Sequence, residues 1–463
     1  MNNGSMRELT GRDSKRLTNY RAYLDFYNGD QWPERSKHRQ LVFNYAKVAI
    51  DKVTSYLMQG FNMQCHPRGE GDEQKDRARR AEAVLYQVYD RNHLAQLDYE
   101  TEVDAAILGD GCYKVLWDAK EERVKVTAPA VEGINAWWCG DDTSRVWKVA
   151  SEYQLTAEEV QLVHGVKIAS KSAKVTEVWT DDSFELYIAG GLKTRAKNPY
   201  GFIPFVIFPN LRQPKEFWGV SDIPALMQPQ RELNRALTQL SRILEVSGNP
   251  IAVLEGVERS EDIAVQPGAV WTLPPDAKAY LLDLLQGGGI RLHVDYIELV
   301  YRCLHDLSEA PRAAYGGIER ELSGVALEVE LQSLLQKVQR KRLIRGSAYA
   351  RRARMILELH RLYNGEDLTD VDIAIGWGSI IPQDRARQAQ NEHLLVMSGI
   401  HSRRTAMDEL GVRDSETEFS RWLEERREIM RMNQELKASP GRGEGERRPP
   451  RDAFRTNKEE GEN

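Results

Sequence analysis

The chain has 463 residues, 41% hydrophobic and 29% charged, which is long enough for several domains, and its formal net charge is −6. That balance excludes a dedicated nucleic-acid-wrapping protein, which would carry a basic domain. No stretch approaches the roughly eighteen uncharged apolar residues of a transmembrane helix. MNNGSMRELTGRDSKR lacks the apolar centre of a signal peptide, so a soluble intracellular protein is expected.

Residues 8–60 read as mostly helical. LTNYRAYLDFYNGDQW forms a first amphipathic helix ending near Asn28-Gly29, and LVFNYAKVAIDKVTSYLMQG (41–60) carries apolar residues at helical spacing as far as Gly60. Residues 74–109 add EQKDRARRAEAVLYQVYDRN and LAQLDYETEVDAAILGDG, again closed by glycine. The period then changes. CYKVLWD, RVKVTAPAV, SRVWKVASEY, KVTEVWTD and FELYIAG alternate or run β-branched and aromatic, a mixed or antiparallel sheet over 112–190. One helix, LTAEEVQLVHG, interrupts it, with Thr156 as N-cap and Glu159 in the capping-box position. A Pro-rich extended segment follows at 198–219.

A helix–insert–helix unit comes next. Its first helix, 221–248, presents Ile223, Leu226, Leu233, Leu237, Leu240 and Leu244 on one face, and Pro229 is expected to kink it. The second, 290–310, places Ile290, Val294, Ile297, Val300, Leu304 and Leu307 at the same spacing. NPIAVLEG, AVWTLPP and AYLLDLLQGGG between them read as short strands at the tip of a stalk. After the glycine-bearing loop PRAAYGGIEREL, one helix runs from Ser323 to about Tyr363, some 60 Å at about 1.5 Å per residue. Gly346-Ser347 near its middle marks an expected kink. VDIAIGWG (371–378) reads as one more strand. Three helical segments follow, and a Gly-, Pro- and charge-rich tail from about Ala438 reads as disordered.

No catalytic signature emerges. There is no phosphate-binding G-x-x-x-x-G-K-[ST] loop, no G-x-S-x-G elbow, no H-E-x-x-H and no EF-hand loop. Asp141-Asp142 and Asp370/Asp372 read as solvated turn and strand ends, the nine histidines are scattered, and the glycine run 287–289 reads as a hinge. Cys65, Cys112, Cys139 and Cys303 form no C-x-x-C pair and read as reduced structural thiols. From Lys337 to Arg354 every charge is positive: Lys337, Arg340, Lys341, Arg342, Arg345, Arg351, Arg352 and Arg354. Spread around a helix, these cannot all face one ligand. They are expected to staple neighbouring subunits through acidic faces such as Glu232/Glu245 or Glu424/Glu425/Glu428 rather than to grip DNA.

The order of these parts, with several local patterns, resembles the portal proteins of tailed double-stranded DNA bacteriophages, closest to the siphophage-like group. The residues that carry the resemblance are YRAYLDFYNGDQW with Asn44-Tyr45-Ala46-Lys47 and Asp51-Lys52; Gly109-Asp110-Gly111-Cys112-Tyr113; PFVIFPN followed by Gly219-Val220-Ser221-Asp222; and Ser323-Gly324-Val325-Ala326-Leu327. It covers about 15–435, and the shared order is more specific than any single motif.

The resemblance implies an α+β, mainly helical portal fold that assembles as a homo-oligomeric ring, usually of twelve subunits, at one capsid vertex of the virion. It implies a wing at 1–220, stem helices at 221–248 and 290–310, a clip at 249–289 and a tunnel loop at 311–323. A long kinked helix with a returning wing strand (324–379), a crown (380–437) and a tail (438–463) complete the division. The tunnel loop would present Arg312, Tyr315, Gly316, Gly317, Glu319, Arg320, Glu321, Leu322 and Ser323 to passing double-stranded DNA. Gly324, Gly346 and Ser347 would act as hinge and kink, and Leu233, Leu237, Leu240, Leu244, Ile297, Val300 and Leu304 would pack stem helices of adjacent subunits. The implied partners are the terminase large subunit, head-completion or adaptor proteins, and the major capsid and scaffolding proteins, with no membrane, metal, cofactor or catalytic residue. The alternatives are an adaptor ring, though adaptors are usually far shorter and lack a wing before the stem, and a DNA-processing enzyme, whose metal-binding carboxylates have no recognisable spacing here.

Overall fold

The structure, a computed structural model, describes residues 14–33, 40–248, 251–255, 276, 278–282, 289–316, 324–380, 385–412 and 415–438. The chain divides into two compact units, 1–380 and 381–463.

The first unit opens with α1 (Ser14–Tyr27) and α2 (Tyr45–Leu57). The Asn44 side chain caps α2 by accepting from Lys47 N at 3.2 Å. Strand β1 (Asn62–Pro67) leads into α3 (Asp72–Arg91) and α4 (Leu94–Leu108). On α3, Ala78, Ala81, Leu85 and Val88 recur at helical spacing and are buried.

The sheets follow: β2 (Asp110–Asp118), β3 (Arg123–Thr127), β4 (Ile134–Cys139), β5 (Asp142–Thr156), helix α5 (Ala157–His164), β6 (Ser172–Trp179), β7 (Ser183–Ile188), β8 (Gly191–Lys197) and β9 (Phe205–Pro209). All pairings are antiparallel. Five strands form a meander in the order β4-β5-β6-β7-β8, and three form β3-β2-β9. The capping box on α5 is complete, with Glu159 N donating to Thr156 Oγ1 and Thr156 N to Glu159 Oε2. Val160 of α5 packs on Val175, Leu186 and Ile188 of the five-stranded sheet.

Helix α6 (Ile223–Gly248) runs unbroken with Pro229 inside it, and α7 (Gly289–Ser308) packs back against it. Between them β10 (Ile251–Glu255) and β11 (Lys278–Leu282) pair antiparallel. The expected single long helix is two: α8 (Gly324–Glu330) and α9 (Gln332–Asn364). The interruption falls at Leu331, which is buried and bridged by hydrogen bonds to Leu327 O and from Leu335 N. Helix α9 continues through Gly346 and Ser347. Finally β12 (Val371–Gly376) pairs with β1, Met63 opposite Ile375 and Cys65 opposite Ile373.

Three strands had no counterpart in the sequence reading: β1, β4 and β8. In β1 the alternation is confined to Met63 and Cys65, and β8 is exposed along its whole length. Backbone pairing to β12 and β7 defines them, and side-chain pattern does not.

Helix α9 is the axis of the unit. Its C-terminal half supplies Ala348, Tyr349, Ala353, Ile356 and Leu357 to a core with α3, β1, β2, β9 and β12. Leu334 and Val338, with Leu331 just before the helix, enter a second core with Val53 and Leu57 of α2 and with Ala310, Ala313 and Ala314. A third joins α1, α2, the end of α4, β4, β5 and the start of α6. The second unit holds α10 (Arg385–Met397), α11 (Arg403–Glu409) and α12 (Ser415–Ala438). There Arg403 and Arg426 lie over Trp422, and Arg404 over Phe419.

Two glycines test this packing in opposite directions. A Cβ on Gly219 would lie 2.2 Å from Gly109 O and 2.9 Å from Asn210 N, both backbone, whereas Gly346 has nothing within 4 Å. Gly219→Ala should lower stability by about 1–3 kcal/mol through overpacking. Gly346→Ala should raise it by about 0.5–1 kcal/mol, because a mid-helix glycine is replaced without contact. Denaturant titration of both variants checks the pair.

Candidate functional site

Tyr20 of the first quoted motif, Gly109-Asp110, Asn210 and 219–222 meet at the foot of α6. Gly109, at φ +101°, ends α4, and its carbonyl accepts from Asn210 N at 2.7 Å. Asp110 accepts from Gly219 N at 2.7 Å and from Tyr20 Oη at 2.5 Å. Burial and the charge of Asp110 push the Tyr20 hydroxyl far above its usual range. Ser221 Oγ donates to Ile107 O and accepts from Ile223 N, so one hydroxyl caps α6 and ties it to the end of α4. Asp222 N donates to Ala106 O at 2.9 Å. Asn210 Nδ2 donates to Val220 O at 3.0 Å.

Onto this foot the basic residues of α9 converge. Lys337 donates to Ser308 O, the last residue of α7, at 2.9 Å and pairs with Asp222 at 3.2 Å. Lys341 donates to Asp222 Oδ2 at 2.5 Å and to Asn210 Oδ1 at 2.8 Å. Arg345, 0% exposed, grips Glu102 through Nε at 2.8 Å and Nη2 at 2.7 Å, with Nη1 on the carbonyls of Pro209 and Asn210. Arg352, 1% exposed, forms a bidentate pair with Asp98. Tyr349 Oη donates to Glu102 at 3.2 Å. Arg342 donates to the carbonyls of Tyr56, Leu57, Gln59 and Gly378.

The expected role of this run is therefore corrected. Six of its eight cations, Lys337, Arg340, Lys341, Arg342, Arg345 and Arg352, are engaged within the chain. Lys337, Lys341, Arg345 and Arg352 lie on one buried stripe of α9, an ionic spine whose partners, Asp222, Glu102 and Asp98, belong to the same chain. The physical reason is local complementarity. Asp98 and Glu102, four residues apart on one face of α4 and both buried, meet Arg352 and Arg345, seven residues apart on one face of α9.

Electrostatics follow from the count of partners. Burial pushes the Asp222 carboxyl upward, but the ammoniums of Lys341 and Lys337 overcome it and hold the group well below the usual carboxylate range. Each lysine has only a share of that one carboxylate. Burial therefore takes Lys341 down to about 8, with Lys337 and Arg345 adding to the shift against the opposing pull of Asp222.

The predicted stem residues divide by depth. Leu233 and Leu304 are buried at the root, whereas Leu244 toward the tip is 52% exposed. Leu237, Leu240 and Ile297 are intermediate, and Val300 is buried. Arg312–Tyr315 form a 3₁₀ turn. Its Ala313 and Ala314 sit in the core with Val53 and Leu57, and Tyr315 packs on His305 with ring centroids 5.2 Å apart. Arg312 is exposed, and Gly316 adopts φ +83°. The first part of the expected 311–323 loop is thus core. Gly317, Glu319, Arg320, Glu321, Leu322 and Ser323 lie outside the described residues, as does the tail from 439. Gly324 begins α8, and Gly346 and Ser347 lie within α9. Cys65 and Cys112 are buried and Cys303 exposed, and all four thiols are free.

Asp222→Asn should cost about 3–5 kcal/mol at pH 7, since it leaves two ammoniums buried without a counter-charge. The sign with pH is fixed by the lowered carboxyl. Its contribution is fully present above the unfolded value near pH ~4 and is lost as pH falls toward the folded value. The gap between parent and variant in denaturant titrations should therefore close on acidification below about pH 4.

Among the described residues no group of three or more His, Cys, Asp and Glu could hold a metal ion, and no helix is long and apolar enough to cross a membrane. No curated protein matches the chain. The family model described as phage portal protein, SPP1 Gp6-like, matches residues 7–432. That span contains every element of the spine and of the helix hairpin, and the chain belongs to this family of phage portal proteins.

Proposed function

We propose that the chain closes into a ring at one capsid vertex and forms the conduit through which double-stranded DNA enters and leaves the head. In this reading α6 and α7 are the stem, β10 and β11 belong to the clip, residues 1–220 with β12 are the wing, and the second unit is the crown. The clip meets the terminase large subunit during packaging and head-completion or adaptor proteins afterwards, and the wing meets major capsid and scaffolding proteins. The role is structural, without catalysis. A net charge of −6 per subunit, repeated around a ring, favours passage of DNA over its capture.

The observation that carries the ring is a second apolar stripe on α7. While Ile297, Val300 and Leu304 face inward, Leu292 (72% exposed), Leu299 (58%) and Leu307 (51%) face outward, with Tyr296 and the Cys303 thiol in the same stripe. Apolar residues at this spacing on two sides of one helix suit a stem that touches its own partner helix and an adjacent copy.

Negative-stain images of the purified protein should contain rings with a central hole of DNA width. The double substitution Leu292→Asp and Leu299→Asp should convert them to smaller species in light scattering. Both residues are exposed, so the protomer should unfold within about 0.5 kcal/mol of the parent. A stable monomer or dimer from the unsubstituted protein would refute the assignment.

The tunnel-loop role falls on the residues after the 3₁₀ turn. Deleting 317–322 should leave ring assembly intact and impair packaging or DNA retention. Deletions that extend back to Ala313 should instead lose folding, because they remove core side chains.

A further inference from the structure

Beside the spine, α9 carries two cations that the intrachain network does not use. Lys337 and Lys341 share Asp222, Arg340 meets Glu309, Arg345 meets Glu102, Arg352 meets Asp98, Arg361 meets Glu358, and Arg342 is held by four carbonyls. Arg351 makes one hydrogen bond, to Ile207 O at 3.0 Å, and meets no carboxylate among the described residues; Arg354 meets none either. Three residues apart, they lie on one helix face. Both are exposed.

They line two adjoining hollows of ≈ 430 and ≈ 390 Å³ that share Phe202, Arg351 and Met355 and so form one groove. Arg212, also exposed and unpaired among the described residues, lines the larger hollow and pushes the Arg351 guanidinium below its usual value, adding to the larger effect of burial. Thr143, Ser144 and Ser347 add hydroxyls, and Phe202, Phe217 and Met355 add apolar surface. Two carboxylates also line the groove: Asp181, which pairs with neither arginine, and Glu358, which is already held by Arg361.

We infer that this groove is a docking site for an acidic polypeptide segment of another protein, with carboxylates on Arg212, Arg351 and Arg354 and an apolar side chain against Phe202 and Met355. Guanidiniums without an internal carboxylate bind planar carboxylates bidentately, and arginine clusters are a recurrent means of reading acidic motifs. The volume is that of a pocket for a few side chains. A nucleic-acid backbone fits less well. Asp181 and Glu358 would face its closely spaced phosphates, and the apolar floor would have nothing to cover.

The test uses the full-length protein and a random heptapeptide library, counter-selected on the triple variant Arg212→Gln, Arg351→Gln, Arg354→Gln. The expected result is a consensus with at least two Asp or Glu residues beside an aromatic or aliphatic one. A synthetic consensus peptide should bind the triple variant at least tenfold more weakly, and its Gln-substituted version should lose binding to the parent. Circular dichroism and light scattering should match between parent and triple variant. A neutral or basic consensus, or no enrichment, overturns the inference. So does duplex DNA binding that falls with the triple substitution, which would assign the groove to phosphate. Loss of the parent's oligomeric state in a folded triple variant overturns it too, since the occupant would then be a second copy of this chain.

Discussion

The fold depends on burying positive charge. Lys341, Arg345 and Arg352 are all within 1% of full burial. Isolated cations in that setting would cost several kcal/mol each, and α9 could not sit where it does. Asp98, Glu102 and Asp222 make it possible. Once satisfied, such a network has few alternative arrangements, because each shift of register strands a charge. The helix is thereby fixed in rotation and translation against α4, against the foot of α6 and against the end of α7. Its two apolar cores could tolerate a slide; its ionic contacts cannot.

A mechanical gradient follows along the hairpin. At the root, Ser308, Leu233 and Leu304 are buried, and Lys337 ties both helices of the hairpin to α9 through Asp222 and Ser308. Further out, Leu244 and Leu292 are open to solvent. One end of the hairpin is rigid through its own chain. The other depends on what surrounds it, which in the proposed ring is the adjacent copy.

Much of this was legible in the sequence, for identifiable reasons. Helix faces such as Ala78-Ala81-Leu85-Val88 announce themselves by period, and the Thr156–Glu159 box by its spacing. Local signals of this kind survive in one dimension. The strands β1, β4 and β8 did not show, because their identity lies in a ladder with a partner rather than in their own alternation. The spine failed for the same reason on a larger scale. Arg345 and Glu102 are 243 positions apart, and nothing near Arg345 says that its counter-charge is internal. A reader looking only at the basic run assigns it to solvent or to neighbours. The available clue lay on α4: Asp98 and Glu102 share a face with Leu94 and Ala105, and carboxylates on an apolar helix face call for buried cations. Gly346 misled in the opposite direction. A glycine within a helix invites a kink, yet this one lies in continuous helix with open space around its α-carbon.

The outermost strand of the meander bears on assembly fidelity. β8 is exposed at every position, and Lys193, Arg195 and Lys197 fall on alternate residues along it. An unguarded sheet edge offers unpaired backbone groups to any passing strand. Here a neighbour that tried to extend the sheet would bring a second row of like charges alongside the first. Copies of this chain at high concentration are thus discouraged from joining edge to edge, and off-pathway fibres are disfavoured while the helical faces remain free to select their partners.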